Sequence, residues 1–141
     1  MRALLDREKG EGGPWNLKHA PGGLVDIEFA AQALQLVHAA KHPEILSTAT
    51  VPALDHAREA GLLDAEAWRT FRAGARLQQD LTQALRLATE KPFDPDEAGE
   101  GLKRLLARTA EAPDFAVLTA TLEGLQKEVR AAFERVLAGL R

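Results

Sequence analysis

Apolar residues recur at three- and four-residue intervals along most of the chain, which is the spacing of one face of an α-helix. One long stripe comprises Ala67, Phe71, Gly74, Leu77, Leu81, Leu85 and Ala88. A near-heptad stripe follows at Leu118, Leu122, Leu125, Val129, Ala132, Val136 and Leu140. β-Branched residues are sparse and nowhere alternate with polar ones, so no strand is predicted. The pattern predicts an all-α fold, a helical bundle of about five helices.

Capping residues and helix breakers divide this pattern into five helices. We expect them to run from about Leu24 to about Ala40, from Thr50 to Gly61, from Asp64 to about Thr89, from Asp94 onward and from Asp114 onward. Thr50, Asp64, Asp94 and Asp114 are the expected N-caps. The first helix is apolar nearly all round, which predicts the central, buried helix. The near-heptad stripe of the fifth predicts that it lies along the third.

The segment before the first helix is rich in glycine. Residues 1–8 have the pattern of the last turns of a helix whose earlier part is missing, because so short a helix is marginal by itself. Residues 9–23 form a loop that holds Gly10, Gly12, Gly13, Gly22 and Gly23. With 141 residues, the chain is expected to be one helical domain, 1–141, excised from a larger protein.

Composition narrows the possible functions. The net charge is −3 with the cations spread along the helices, which gives no electrostatic footprint for nucleic acid or an anionic membrane. Cysteine is absent, which excludes disulfides, thiol catalysis and cysteine–zinc sites. No apolar run has the length of a membrane span and no signal peptide is recognisable. A cytoplasmic location is therefore expected.

Residues 17–29, "LKHAPGGLVDIEF", hold the main candidate site. On a helical wheel, Asp26 lies nearly opposite Glu28 and begins a face that is otherwise apolar. A carboxylate there needs a partner, which could be main-chain N–H groups at the helix start, Lys18, or a neighbouring domain. Gly22 and Gly23 permit close backbone approach, but no Gly-Lys-Ser/Thr marks a phosphate loop. From these residues alone, helix capping and a ligand-binding role both stay open.

Other candidates have simpler interpretations. His38 and His42 have the spacing of two zinc ligands, yet no third ligand lies nearby in sequence and a proline follows His42. Ser47 is the only serine and has no nucleophile context. The basic residues of the third helix could bind an acidic partner or simply be solvated; they are Arg69, Arg72, Arg76 and Arg86. None of these three candidates predicts catalysis.

Residues 16–39, "NLKHAPGGLVDIEFAAQALQLVHA", resemble a segment of the glutamine synthetase adenylyltransferase family, whose bifunctional members add and remove an adenylyl group. The helical region of PII uridylyltransferase is similar but less close. The matching positions are Lys18, Gly22, Gly23, Asp26, Ile27, Glu28, Phe29 and Gln32. The resemblance continues over nearly the whole chain, and Asp26 favours the C-terminal of the family's two helical domains. Ala75 departs from the family, where histidine or glutamate is common.

The resemblance implies an accessory or regulatory role. The parent enzyme would transfer AMP from ATP to a tyrosine of glutamine synthetase, and remove it, under control of PII signal protein and glutamine. Its nucleotidyltransferase domain would bind ATP and magnesium through a "G-S…D-x-D" motif that this chain lacks. The chain alone is therefore expected to have no catalytic residue, metal ligand or cofactor. Lys18, Gly22, Gly23, Asp26 and Glu28 are expected to face the upstream nucleotidyltransferase domain and its nucleotide cleft.

Two alternatives accompany this expectation. The chain could be a stand-alone helical module that binds PII or another regulator. It could also be a small metal-dependent enzyme that uses Asp26, Glu28 and the histidines. Glutamine synthetase and PII are thus the expected protein partners beside the upstream domain.

Overall fold

The computed structural model describes residues 10–140, so the helix end predicted at residues 1–8 lies outside the described residues. The helices are α1 Leu24–His38, α2 Thr50–Glu59, α3 Ala65–Ala88, α4 Glu100–Thr109 and α5 Phe115–Gly139. Short 3-10 segments occupy Gly10–Trp15 and Pro43–Ile45. Residues 10–140 contain no strand, so the prediction of an all-α helical bundle of about five helices is confirmed.

The two long helices begin where their caps predict. The carboxylate of Asp64 accepts the N–H of Ala67 at 2.8 Å, and the carboxylate of Asp114 accepts the N–H of Val117 at 2.8 Å. Each bond satisfies one of the N–H groups that the first turn of a helix leaves without an intrahelical partner. These two predicted helix starts are confirmed.

The predicted pairing of the third and fifth helices is also confirmed. Among the described residues, α3 and α5 form the most extensive helix–helix contact. Gly74 lies at this contact, where an added β-carbon would approach Cγ2 of Val129 to 2.6 Å. The missing side chain therefore lets the two helices pack more closely than an alanine would allow.

Two predicted caps are wrong. The fourth helix begins at Glu100 rather than at Asp94, and its N-cap is Gly99, which is extended at φ −74° and ψ 162° and makes no capping hydrogen bond. Asp94 caps an isolated turn instead, its carboxylate accepting the N–H two residues further on at 2.9 Å. Thr50 is the first residue of α2, and Ala49 precedes it as an N-cap without a side-chain hydrogen bond.

α1 is buried on one side only, so the prediction that it is buried all round is wrong. Ile27, Ala30 and Leu34 face the interior, where α2, α3 and α5 cover them. On the outward face, Phe29 is half-exposed and Leu36 is 87% exposed. An apolar sequence thus leaves an apolar strip at the surface of the described domain.

Two hydrophobic clusters form the core. The first lies between α1, α2, α3 and α5 around Phe71, and Trp68 packs against it while its indole N–H donates to Asp55 at 2.7 Å. The second joins Trp15 and Leu17 of the glycine-rich segment to α3, α4 and α5. The Trp15 ring stacks on Phe115 with the centroids 5.2 Å apart. The segment before α1 is therefore anchored in the core.

None of the helices within residues 10–140 combines the length and the apolar character needed to cross a membrane.

Candidate functional site

The stretch before α1 folds back on the first turn of that helix. The main-chain N–H groups of Leu24 and Val25 donate to the carbonyl oxygens of Leu17 and Lys18 at 2.8 and 2.9 Å. The N-cap residue is Gly23, which has no side chain with which to cap the helix. Because the first turn of a helix has N–H groups without intrahelical acceptors, the loop itself provides the cap that a side chain provides elsewhere.

Both glycines of the pair are required by close main-chain contacts. Gly22 has φ +82°, and an added β-carbon would overlap the main-chain carbonyl oxygen of Gln126 on α5. At Gly23, a β-carbon would lie 2.6 Å from the carbonyl oxygen of Leu17. Any other residue at either position would displace the loop from α5 or from α1.

Asp26 is the buried charge of the site, with only 1% of its surface exposed. Its Oδ2 accepts the main-chain N–H of Gly22 at 2.7 Å and a guanidinium N–H of Arg130 at 3.0 Å. Main-chain N–H groups were among the partners expected from the sequence. Arg130 on α5 supplies a countercharge from within the domain that the sequence did not predict. Contact of Asp26 with a neighbouring domain stays a prediction.

Arg130 connects the buried carboxylate to the surface. Its Nε donates to Glu134 at 3.1 Å, and its guanidinium carbon lies 5.0 Å from the centroid of the Phe133 ring. Its side chain is 24% exposed. The pair with Glu134 has the helical i,i+4 spacing, and the tie to Asp26 adds a contact between α5 and α1 that local spacing does not predict.

Two buried glutamines complete the network. The Nε2 of Gln78 on α3 donates to the carbonyl oxygens of Gly22 at 3.1 Å and Gly74 at 3.2 Å. The Nε2 of Gln126 on α5 donates to Oε1 of Gln78 at 3.0 Å and to the carbonyl oxygen of Pro14 at 2.8 Å. Side chains from α1, α3 and α5 thus converge on the loop.

Sequence reasoning missed these glutamines. Gln78 lies four residues after Gly74 and three before Leu81, and Gln126 lies four after Leu122 and three before Val129. Both therefore stand on the stripe that faces the core, where a polar residue is unusual. A search for polar residues within the apolar stripes would have found them.

The five predicted site residues divide between interior and surface. Gly22, Gly23 and Asp26 are buried, whereas the side chains of Lys18 and Glu28 are exposed. The buried three organise the loop, and the exposed two present their side chains at the surface of the described domain. Whether the five residues face a nucleotide cleft stays a prediction.

A groove of about 530 Å³ runs between the loop and α5. Pro14 and Pro21 form one side of it, and Lys127, Arg130 and Glu134 are on the other. Because cations and carboxylates alternate there, this groove does not present the uniformly positive wall that would select an anion.

The described residues do not fit a metal ion. Within residues 10–140, no group of three or more carboxylate or imidazole side chains could hold one. The Nδ1 of His42 lies 3.2 Å from Oε2 of Glu44. The pKa of Glu44 is lowered, first by a hydrogen bond from the main-chain N–H of Glu44 and second by the hydrogen bond with His42. Neither a zinc site at His38 and His42 nor a metal site formed by Asp26, Glu28 and the histidines is assigned to these residues.

Comparison with known proteins gives one family match and many relatives. Residues 2–137 match the sequence model of the family described as GlnD PII-uridylyltransferase. The relatives are named bifunctional glutamine synthetase adenylyltransferase/adenylyl-removing enzyme. The protein of Bradyrhizobium sp. (strain BTAi1) is 52% identical over 137 residues, which is 97% of this chain. Those of Rhodopseudomonas palustris (strain HaA2) and Xanthobacter autotrophicus (strain Py2) are 50% identical over 99% and 97% of it.

The chain spans only 14% of the length of each of these curated relatives. It therefore corresponds to one part of a much longer polypeptide in those organisms. The resemblance to the helical domain of glutamine synthetase adenylyltransferase, and to PII uridylyltransferase, is confirmed.

Proposed function

Because the chain belongs to the family described as GlnD PII-uridylyltransferase, we propose that it serves as the helical accessory domain of a glutamine synthetase adenylyltransferase. The observation that carries this proposal is the identity of about half its residues, over nearly its whole length, with enzymes of that name. The chain lacks the "G-S…D-x-D" motif, since its only serine, Ser47, follows a leucine. Transfer of AMP from ATP to a tyrosine of glutamine synthetase, and its removal, belong to the complete enzyme in the cytoplasm.

The loop between Lys18 and Gly23, with Glu28 beside it, faces the nucleotide cleft of the upstream domain in this proposal. Two features support it: Lys18 and Glu28 are exposed, and the loop that carries Lys18 is bonded to the first turn of α1 through main-chain atoms. An ammonium group carried by a loop whose main chain is fixed can reach a phosphate oxygen of a nucleotide across an interface. ATP and magnesium are held by residues of the upstream domain, and this chain supplies a positioned charge.

The test uses the complete adenylyltransferase that contains this chain. Lys18→Ala is expected to lower the rate of glutamine synthetase adenylylation by about tenfold or more while the melting temperature stays unchanged, because the side chain is exposed. Lys41→Ala is the matched control, since Lys41 is an exposed lysine beyond the opposite end of α1. Equal activity of the two variants would remove the role of the loop. Adenylylation by the 141-residue chain alone would contradict the accessory role.

A second candidate is a binding module for PII, the protein that the family description names. The apolar strip of α1 at Phe29 and Leu36 is the observation that favours it, because exposed apolar surface of this kind marks contact surfaces. Titration of the chain with PII distinguishes the candidates. Binding that Leu36→Ser abolishes supports the module, and the absence of binding to the wild-type chain dismisses it.

A further inference from the structure

We propose that Gln78 and Gln126 are positioning residues that clamp the loop carrying Lys18 at its two ends, Gly22 and Pro14. The inference rests on the proposed function in one respect only, namely that the loop serves a neighbouring active site. The clamp itself follows from the contacts within the described domain. Neither glutamine belongs to the sequence motif of residues 16–39.

The two residues that the clamp binds lie at equal distances in sequence from Lys18. Gln126 binds the carbonyl oxygen of Pro14, four residues before Lys18, and Gln78 binds that of Gly22, four residues after it. The two amides then bind each other, Nε2 of Gln126 to Oε1 of Gln78, at 3.0 Å. Both ends of the loop are thereby fixed to one pair of side chains between α3 and α5.

Hydrogen-bond stoichiometry makes this arrangement specific. A glutamine Nε2 has two hydrogens, and each of the two amides donates to two acceptors. Rotating either amide by half a turn would put an oxygen against a carbonyl oxygen. Only one orientation of each side chain is therefore compatible with the loop.

Burial shows that these residues do more than fill space. Gln78 is fully buried and Gln126 is 5% exposed. Leucine or methionine would fill such positions without the desolvation of an amide, so the polar groups destabilise the core unless they are all bonded. Three of the four bonds end on main-chain carbonyls, two of them in the loop. The network thus fixes one position of the loop relative to α3 and α5.

Arg130 and Asp26 hold the same loop from the other side, through the N–H of Gly22. The N–H and the carbonyl oxygen of Gly22 are consequently both bonded to buried side chains. A displacement of α1 or α3 would therefore move the loop at Gly22, and a displacement of α5 would move it at Pro14.

Amide hydrogen exchange in the 141-residue chain tests the clamp. Gln78→Met and Gln126→Met keep the side-chain volume and remove the amide. Each is expected to lower the protection of the Gly22 and Leu24 amides at least about tenfold, with α2 unchanged, since the carbonyl oxygens of the loop lose their buried donors. Gln79→Met is the matched control, because Gln79 is the exposed neighbour of Gln78 on the same helix.

Two results would overturn the proposal. The loop amides could keep the protection seen in Gln79→Met, or they could lose it by the same factor as the α2 amides, which would mean a general loss of stability. A measurement on the wild-type chain needs no variant. The side-chain amide protons of Gln78 and Gln126 should exchange at least about tenfold more slowly than those of Gln79, and equal rates would also contradict the clamp.

Kinetics of the complete adenylyltransferase separate this inference from the proposed function. Gln78→Met should lower kcat about tenfold and leave KM for glutamine synthetase within about twofold, because the loop is displaced while the docking surface is kept. If Lys18→Ala leaves activity intact while the glutamine variants still lose loop protection, the proposed function fails and the clamp stands. If Lys18→Ala impairs activity and loop protection is unaffected by the glutamines, the clamp fails alone.

Discussion

The starts of α1 and α3 contain the same residue types, but one set is largely buried and the other is exposed. Each has an aspartate that pairs with an arginine of α5. Asp26 and Arg130 lie 3.0 Å apart with side chains 1% and 24% exposed, whereas Asp64 and Arg135 lie 3.4 Å apart and are 57% and 49% exposed. Asp64 caps its own helix, but Asp26 bonds to the loop before its helix. The same pair of residue types therefore lies at the start of a helix in one place and organises a loop in the other.

A glycine with positive φ precedes each aspartate, and the two glycines differ in the same way. Gly22 has φ +82° and its missing side chain makes room for the main chain of Gln126. Gly61 has φ +77° and nothing within 4 Å of an added β-carbon. The difference teaches that burial and contact with distant helices turn ordinary capping residues into a site.

The largest expected effect separates the two glycines. Gly22→Ala should destabilise the chain by about 4 kcal/mol, because left-handed backbone strain is added to an overlap with a carbonyl oxygen. Gly61→Ala should cause only the strain, about 1 kcal/mol. Urea denaturation of both variants measures the difference. Equal losses would mean that the loop can leave α5 without consequence, which would break the comparison.

The aspartates should differ next. Asp26→Ala is expected to reduce the free energy of unfolding by about 3 kcal/mol, the lower end for breaking a buried ion pair, because Arg130 is partly exposed and can regain water. Asp64→Ala should lose about 1 kcal/mol, the usual effect of removing an N-cap. Thermal unfolding followed by circular dichroism ranks the two. A larger loss at Asp64 would show that burial does not set the difference.

The smallest effect concerns the dependence of the two ion pairs on salt. Arg135→Ala should destabilise the chain by no more than about 0.5 kcal/mol at low salt, and raising the salt to about 1 M should abolish the loss because exposed charges are screened. The loss caused by Arg130→Ala should persist at high salt. Unfolding curves at two salt concentrations check this. If the loss of stability caused by Arg130→Ala disappeared at high salt, the pair of Arg130 with Asp26 would be screened like a solvent-exposed one.

The fold was predictable from the sequence to the extent that local signals determine it. Helical periodicity and the caps at Asp64 and Asp114 identify the two longest helices and their contact. The start of the fourth helix was predicted too early because an aspartate followed by proline can cap an isolated turn as well as a helix. Asp94 caps such a turn, and α4 begins only after Gly99. One-sided burial of α1 depends on which neighbours cover it, and no local pattern contains that information.

The site was only half visible in the sequence. The glycine pair and the aspartate on an apolar face, Asp26, lie within a few residues of one another. Their partners come from much further along the chain: Asp26 and Arg130 are separated by 104 positions, and Pro14 and Gln126 by 112. Side-chain pairing over such distances is fixed by the packing of α1, α3 and α5, and spacing rules for single helices do not extend to it.

Each of the two core clusters has one tryptophan, so the two natural fluorophores of the molecule lie in different places. The chain has two tryptophans and no tyrosine. Trp15 lies in the cluster that anchors the loop and donates to Thr119 at 3.3 Å, while Trp68 packs against the other cluster. Replacing either with phenylalanine leaves a single emitter, so the ultraviolet emission spectrum of the unlabelled protein reports the loop end and the α2 end of the bundle separately.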